Sequence, residues 1–226
     1  MKIMQQINDD LEKALHKENG EEICTTVYPL FSSVVYVNKI IKNLDLYLQK
    51  LKDHDFDVTT EPGSNNIHRT NSLNILDKLP QLKKIILDEF NSFKDDLLLY
   101  KDTDFDLTTS WGTRTPKGGF SQYHKHQNCF YSGILYFQNI KGMGSLQFDG
   151  VHMPGSIAIN DPVEWNLLNS SSWEIKPEKN WIVFFPSHLM HRIGPHFGEE
   201  DRYSLAFNFF PIGKFGRGDS TMERKL

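Results

Sequence analysis

Cysteine is scarce: Cys24 and Cys129 are the only two in 226 residues, and neither belongs to a CxxC pair. That argues against a disulfide framework and a thiolate zinc site, and it suits a reducing compartment. No apolar run approaches the roughly 20 residues that a spanning helix needs. Positions 1–10 are mixed polar and lack the apolar core of a signal segment, so a soluble, cytoplasmic protein is expected. Positive charge is not in excess: 25 Lys and Arg against 29 Asp and Glu leave a net charge of −4. Nothing therefore indicates a nucleic-acid backbone as an obligatory partner. Repeats, low-complexity blocks and linkers are also missing, which leaves one domain over 1–226 as the expectation.

What is present is a normal globular balance, 38% hydrophobic and 24% charged, with sixteen Phe, most of them between Phe105 and Phe215. The first 102 residues read mainly as helix. Met4, Ile7, Leu11 and Leu15 form a short amphipathic stripe, and Ile40, Ile41, Leu44, Leu48 and Leu51 form a second. Between them, 29–37 is β-branched and aromatic and reads as a strand. Pro80 sits at a helix start, and Leu82, Ile85, Ile86, Phe90, Phe93 and Leu97 follow at helical spacing, predicting a helix over 80–100. After Asp102 the period changes. Short segments rich in Thr, Tyr, Phe, Ile and Val alternate with Gly, Pro, Asn and Asp, predicting strands over 105–113, 119–124, 131–138, 145–148, 156–159, 163–168, 181–185 and 203–210. Such a series implies a sandwich or barrel over 103–211, braced by the helices of 1–102. The Gly-rich, charged stretch 212–226 is expected to be a flexible tail.

Two histidine groups stand out among nine: His124-Lys125-His126 after one predicted strand and His188-Leu189-Met190-His191 after another. Residues i and i+2 leaving a strand can turn toward one point, and a third donor from a neighbouring strand end closes one triangular face of a metal. Mononuclear non-haem iron needs that arrangement, with the opposite face open. Imidazole also suits Zn(II) and Ni(II), so the donors alone do not choose the metal, and an HxH by itself is more often a solvated loop. A further element raises its weight. Arg202 lies 11 positions after His191, and Ser204, two further along the same strand, shares its face. A guanidinium fork beside a hydroxyl is a receptor for a carboxylate. The plainer alternative is a rim arginine paired with Glu199, Glu200 or Asp201.

From Trp111 to Asn208 the chain resembles the 2-oxoglutarate/Fe(II) oxygenase superfamily, in particular a branch seen in phages and marine bacteria. The residues that carry the likeness are Trp111-Gly112, Tyr123 to Asn128 (YHKHQN), Ser132 to Tyr136 (SGILY), Phe185 to His191 (FPSHLMH) and Arg202 to Asn208 (RYSLAFN). The stretch 30–37 looks like the branch's N-terminal segment. The resemblance implies a double-stranded β-helix, a jelly-roll or cupin-like core, with Fe(II) at its mouth. It implies a dioxygenase that couples decarboxylation of 2-oxoglutarate, with dioxygen, to hydroxylation of a further substrate. His124 matches the first metal ligand, His191 the distal one, and Arg202 with Ser204 the anchor of the 2-oxoglutarate carboxylate. In one respect the chain departs from the pattern: the superfamily usually has a carboxylate where this chain has His126. Either three imidazoles hold the metal, or an acid such as Asp149 or Asp161 supplies the missing donor.

Tyr123 and Tyr136 are candidates for the wall of the cosubstrate pocket, with core packing as the alternative. His188 competes with His191 as ligand, but the spacing to Arg202 favours His191. Cys129 reads as an inert buried thiol, Asn128 as a turn residue and Trp111 as core or pocket wall. Two other functions compete with the 2-oxoglutarate reading: a three-histidine iron dioxygenase that does without this cosubstrate, and a jelly-roll binding module with no catalysis. The Arg202–Ser204 pair speaks against the first, and the complete His and Arg set against the second.

Overall fold

The computed structural model describes residues 32–150 and 161–224. The stripe over 4–15, the start of the strand over 29–37, the strand over 156–159 and Cys24 lie outside them. Among the described residues, eight strands form the larger sheet: β1 (Tyr36–Lys39), β2 (Phe56–Val58), β3 (His68–Thr70), β4 (Asp104–Thr115), β5 (Tyr131–Tyr136), β8 (Trp181–Pro186), β10 (Arg202–Phe215) and β11 (Met222–Arg224). Their order is β1-β8-β5-β10-β4-β3-β2, with β11 on the far part of β10. A second sheet holds β6 (Leu146–Asp149), β7 (Ser172–Ile175) and β9 (Met190–Ile193) in the order β7-β6-β9. All these pairings are antiparallel. Two antiparallel sheets packed face to face, with the chain crossing between them, are the double-stranded β-helix that the resemblance implied.

Side-chain alternation along the central strands separates two interiors. From β10, Leu205, Phe207 and Phe209 pack with Leu135 of β5, Phe184 of β8 and the helices α1 (Asp45–Lys52) and α2 (Pro80–Ser92). Phe90 of α2 stacks on Phe209 with ring centroids 3.8 Å apart. The opposite faces of β5 and β8 place Ile134, Tyr136, Val183 and Phe185 against Leu146 and Phe148 of the smaller sheet. Arg202, Ser204, Ala206 and Asn208 occupy that inner face of β10.

Strand β4 serves both interiors through a bulge. Phe105 and Leu107 pack on the helix side, yet Thr109 bonds Asn208 on the inner side. All three numbers are odd, so a regular strand would keep them on one face. The register of β4 against β10 skips Thr108, and that extra residue turns the following odd positions inward.

Several expectations are corrected. Residues 119–124 form only isolated bridges, Phe120 to Asn65 and His124 to His191, after a turn at Gly118 and Gly119 that Pro116 closes. Residues 163–168 are not a strand: Asn166 and Asn169 side chains bond Leu168 N–H, Asn166 N–H and the Glu164 carbonyl, a local arrangement that wins over strand-forming composition. Strands β2, β3, β7, β9 and β11 carried too few alternating residues to be read. The helix expected over 80–100 passes into a π-turn at Phe93–Leu97 and stops before Leu99, whose φ is +61°. The second stripe becomes helical only at Asp45, whose N–H donates to the Asn43 side chain. Past Pro211, where loose chain was expected, β10 continues to Phe215 and pairs with β11. No helix among the described residues is long and apolar enough to cross a membrane.

Candidate metal centre

His124 and His191 are joined through the backbone. Each N–H donates to the other's carbonyl at 2.9 Å, so one short ladder ties the segment after the Gly118–Gly119 turn to β9. His126 is fixed from a third side, its N–H donating to the Ser187 carbonyl at 3.0 Å. These restraints bring the imidazoles together: one ligand atom from each of His124, His126 and His191 lies within 4.8 Å of the others, which could hold a metal ion. Ring centroids are 4.4 Å apart for His124–His191, 5.0 Å for His126–His191 and 5.2 Å for His124–His126. His188 and Asp161 are exposed and Asp149 is half-buried, and all three lie outside the group.

Two of the rings have their tautomer set. His124 Nδ1 donates to the Gln122 carbonyl at 3.0 Å, and His191 Nδ1 to the Leu189 carbonyl at 2.9 Å. A carbonyl only accepts, so each Nδ1 carries a proton, and in the neutral ring Nε2 is the nitrogen with the lone pair for a metal. Burial pushes His126 down to about 4, with the neighbouring His124 adding to it. Burial likewise takes His191 down to about 3, His124 and His126 contributing and the Leu189 bond opposing. Both rings are therefore neutral donors near pH 7. Phe185 and Phe148 lie beside His191, with ring centroids 4.7 and 6.2 Å away, and Trp111 lies 5.7 Å from His126.

Arg202 is 0% exposed and faces the same interior. Its guanidinium donates to the Gly144 carbonyl at 3.2 Å and to Thr115 Oγ1 at 3.3 Å, while its Nε has no partner. Among the described residues no carboxylate pairs with it, and burial pulls its pKa down. The acidic neighbours are otherwise engaged or remote: Asp201 binds Arg114 at 2.6 Å, and Glu199 pairs with Lys117. Tyr136, also 0% exposed, has its ring 5.6 Å from the Arg202 guanidinium and a hydroxyl without a partner. Burial raises that hydroxyl to about 12, so it stays a donor. Ser204 is buried directly across from Tyr136 in the β5–β10 register. A buried cation and a phenol, both short of acceptors, match the chemistry of a carboxylate guest.

Tyr123 is placed differently from Tyr136. Its ring lies under the Arg192 guanidinium, 4.5 Å away, and Arg192 is held by Gln147 at 2.7 Å. These residues, with Phe148, Trp165, Trp173 and Glu174, line a cleft of about 640 Å³. Thr115, Gly144 and Arg192 carry no signal in the sequence that marks them as part of a site. Nor does the sequence mark the chain Thr109–Asn208–Ser132–Ser187, linked at 2.9, 2.8 and 2.8 Å, which runs beneath the loop that holds His126.

Residues 109–208 match the family described as Putative 2OG-Fe(II) oxygenase. The matched stretch, described as that of a 2OG-Fe(II) oxygenase, holds His124, His126, His191, Arg202 and Ser204. No curated protein matches it by sequence. Among solved structures, HygX from Streptomyces hygroscopicus with nickel and 2-oxoglutarate bound is similar at TM-score 0.51 and 15% identity, over 79% of this chain and 83% of that one. A Pseudomonas putida prolyl-4-hydroxylase is similar at 0.52 and 15%, over 84% and 96%. A Trichoplax adhaerens prolyl hydroxylase in complex with a peptide fragment is similar at 0.55 and 14%, over 78% and 83%. At these identities the likeness speaks for the fold, the double-stranded β-helix.

Proposed function

We propose that the protein is a 2-oxoglutarate- and Fe(II)-dependent dioxygenase acting as a hydroxylase, with a metal site of three neutral imidazoles. The observation that carries this reading is the pairing of two features in one interior: the His124, His126 and His191 nitrogens within 4.8 Å, and a fully buried Arg202 lacking a carboxylate partner. When bound, the iron supplies dioxygen activation coupled to the oxidative decarboxylation of 2-oxoglutarate to succinate. His124, His126 and His191 hold the metal, and the carbonyls of Gln122 and Leu189 aim two of the rings. Arg202 receives the distal carboxylate through its fork, and Tyr136 and Ser204 add donors beside it. Tyr136, rather than Tyr123, is the tyrosine of that anchor.

Charge supports the same assignment. Three imidazoles leave both positive charges of Fe(II) uncompensated, and Arg202 adds a third in a buried site. A dianionic cosubstrate relieves more of that charge than a neutral one. This favours the 2-oxoglutarate reading over a three-histidine dioxygenase that does without it, which would leave the buried Arg202 without an acceptor. HygX is seen with hygromycin B bound and the Trichoplax adhaerens prolyl hydroxylase in complex with a peptide fragment, so the fold sets no substrate class. The cleft lined by Tyr123, Trp173 and Arg192 is the proposed approach for the primary substrate. The test is calorimetric titration of Ni(II)-loaded protein with 2-oxoglutarate. Saturable binding that disappears in His191→Ala supports the reading, and no binding to the wild type removes it.

A further inference from the structure

One residue outside the metal group bonds both Gly144, which receives the Arg202 guanidinium, and the turn that follows Thr115, which receives its other arm. His196 is 0% exposed and lies between three segments. Its Nδ1 accepts the Gly144 N–H at 3.3 Å, so the ring is the neutral tautomer with its proton on Nε2, and that proton goes to the Glu200 carbonyl at 2.8 Å. Its backbone N–H donates to the Gly119 carbonyl at 2.9 Å, and its carbonyl accepts the Gly118 N–H at 2.7 Å. Gly144 carries the carbonyl that receives Arg202, and the Pro116–Gly119 turn directly follows Thr115, whose hydroxyl receives the other arm.

The surroundings leave this clamp little play. Gly194 N–H donates to Ser145 at 2.8 Å and Phe197 N–H to Gly142 at 2.8 Å, zipping 142–145 onto the His196 segment. A Cβ on Gly144 would come within 2.4 Å of the Gly194 carbonyl, so the two backbones are in direct contact. Glu200 is two residues before Arg202, so the Nε2 bond also fixes the entry to β10. Every bond of the His196 ring and peptide thus ends on a segment that touches or carries Arg202.

We infer that His196 is a positioning residue for the cosubstrate: it sets the direction of the Arg202 fork by fixing Gly144 and the turn after Thr115. This rests on the reading of Arg202 as the carboxylate anchor. Its role is specific to the distal carboxylate, because none of its bonds reaches the imidazoles of His124, His126 or His191.

The test compares two 2-oxo acids on Ni(II)-loaded full-length protein. 2-Oxoglutarate carries the distal carboxylate, and pyruvate lacks it and has only the oxo-acid end that a metal chelates. His196→Ala is expected to weaken 2-oxoglutarate roughly tenfold or more, the scale of losing one or two buried hydrogen bonds, while Ni(II) and pyruvate affinities stay at wild-type values. His196→Asn keeps an acceptor near the Nδ1 position and should recover part of the 2-oxoglutarate affinity. Equal 2-oxoglutarate affinity in wild type and His196→Ala overturns the inference. So does a parallel loss of metal and pyruvate in both variants, which would make His196 a general fold element. A wild type that binds pyruvate as tightly as 2-oxoglutarate fails at an earlier step, since Arg202 is then no anchor at all.

Discussion

His124 and His191 exchange a reciprocal pair of backbone hydrogen bonds, both 2.9 Å, although 67 positions separate them. The arrangement of the three rings, which could hold a metal ion, is therefore a property of the fold. Preorganisation of this kind makes each ligand's removal readable. His191→Ala should abolish Ni(II) or Fe(II) binding, because His191 is buried and its ring lies against both of the other imidazoles. His188→Ala should bind as the wild type does. Equilibrium metal titration with a colorimetric competitor checks both, and the reverse pattern would relocate the distal ligand.

His126 stands where the superfamily usually has a carboxylate, and its replacement separates ligand from neighbour. His126→Asp should bind Fe(II) at least as well as the wild type, since an anionic donor replaces a neutral one. His126→Ala should bind clearly more weakly. Unchanged affinity in His126→Ala would take this ring out of the metal's coordination.

Burial of two neutral imidazoles gives the metal-free protein a defined response to acid. Below the ordinary histidine value near 6.5 the unfolded chain takes up protons at both positions, while the folded protein resists until about 4 at His126 and about 3 at His191. The unfolded state then binds more protons, so stability falls as pH drops from about 6.5 toward 4 and is level above that window. Thermal midpoints of chelator-treated protein at pH 7.5 and 5 measure this, with the double variant His126→Asn/His191→Asn as control. The wild type should lose more on acidification than the control; an equal loss would contradict the shifts.

Gly133 sits between two aromatic rings on the helix side of the larger sheet. A Cβ there would come within 2.3 Å of Phe207 and 2.8 Å of Phe184, with the Val183 carbonyl at 2.9 Å. Neither ring can withdraw, because Phe184 and Phe207 are both fully buried. Gly133→Ala should therefore cost about 1–3 kcal/mol or more through overpacking, seen as a lower midpoint in urea at unchanged slope.

Much of this was legible in the sequence, and the reasons are local. The apolar runs of β5 and β8 and the i, i+2 pairs His124/His126 and Arg202/Ser204 report a period of two directly. The bulge at Thr108 was not legible, since Phe105, Leu107 and Trp111 read as one face until an extra residue is known to intervene. Nor was the bracing of Arg202, where Gly144 and His196 meet across 52 positions and neither residue type marks the contact. The segment 163–168 misled because Val163, Trp165, Leu167 and Leu168 suit a strand, whereas the bonds of Asn166 and Asn169 decide the backbone.

Arg202 carries the cosubstrate half of the proposal. Arg202→Ala should leave metal affinity near the wild-type value and weaken 2-oxoglutarate by about 2–5 kcal/mol, the range for truncating one partner of a buried charge pair. Arg202→Lys should rescue only in part, because an ammonium keeps the charge and loses the fork. Ser204→Ala should cost about 1.5–3 kcal/mol, the scale of a hydrogen bond to a charged group.

The most direct measurement is a titration of the Fe(II)-loaded protein with 2-oxoglutarate under nitrogen, following the visible charge-transfer band that chelation of the oxo acid to Fe(II) produces. A saturable band is expected in the wild type, shifted to much higher 2-oxoglutarate concentration in Arg202→Ala and lost with the metal in His191→Ala. Iron bound by the three histidines with no band at any 2-oxoglutarate concentration would contradict the proposed function.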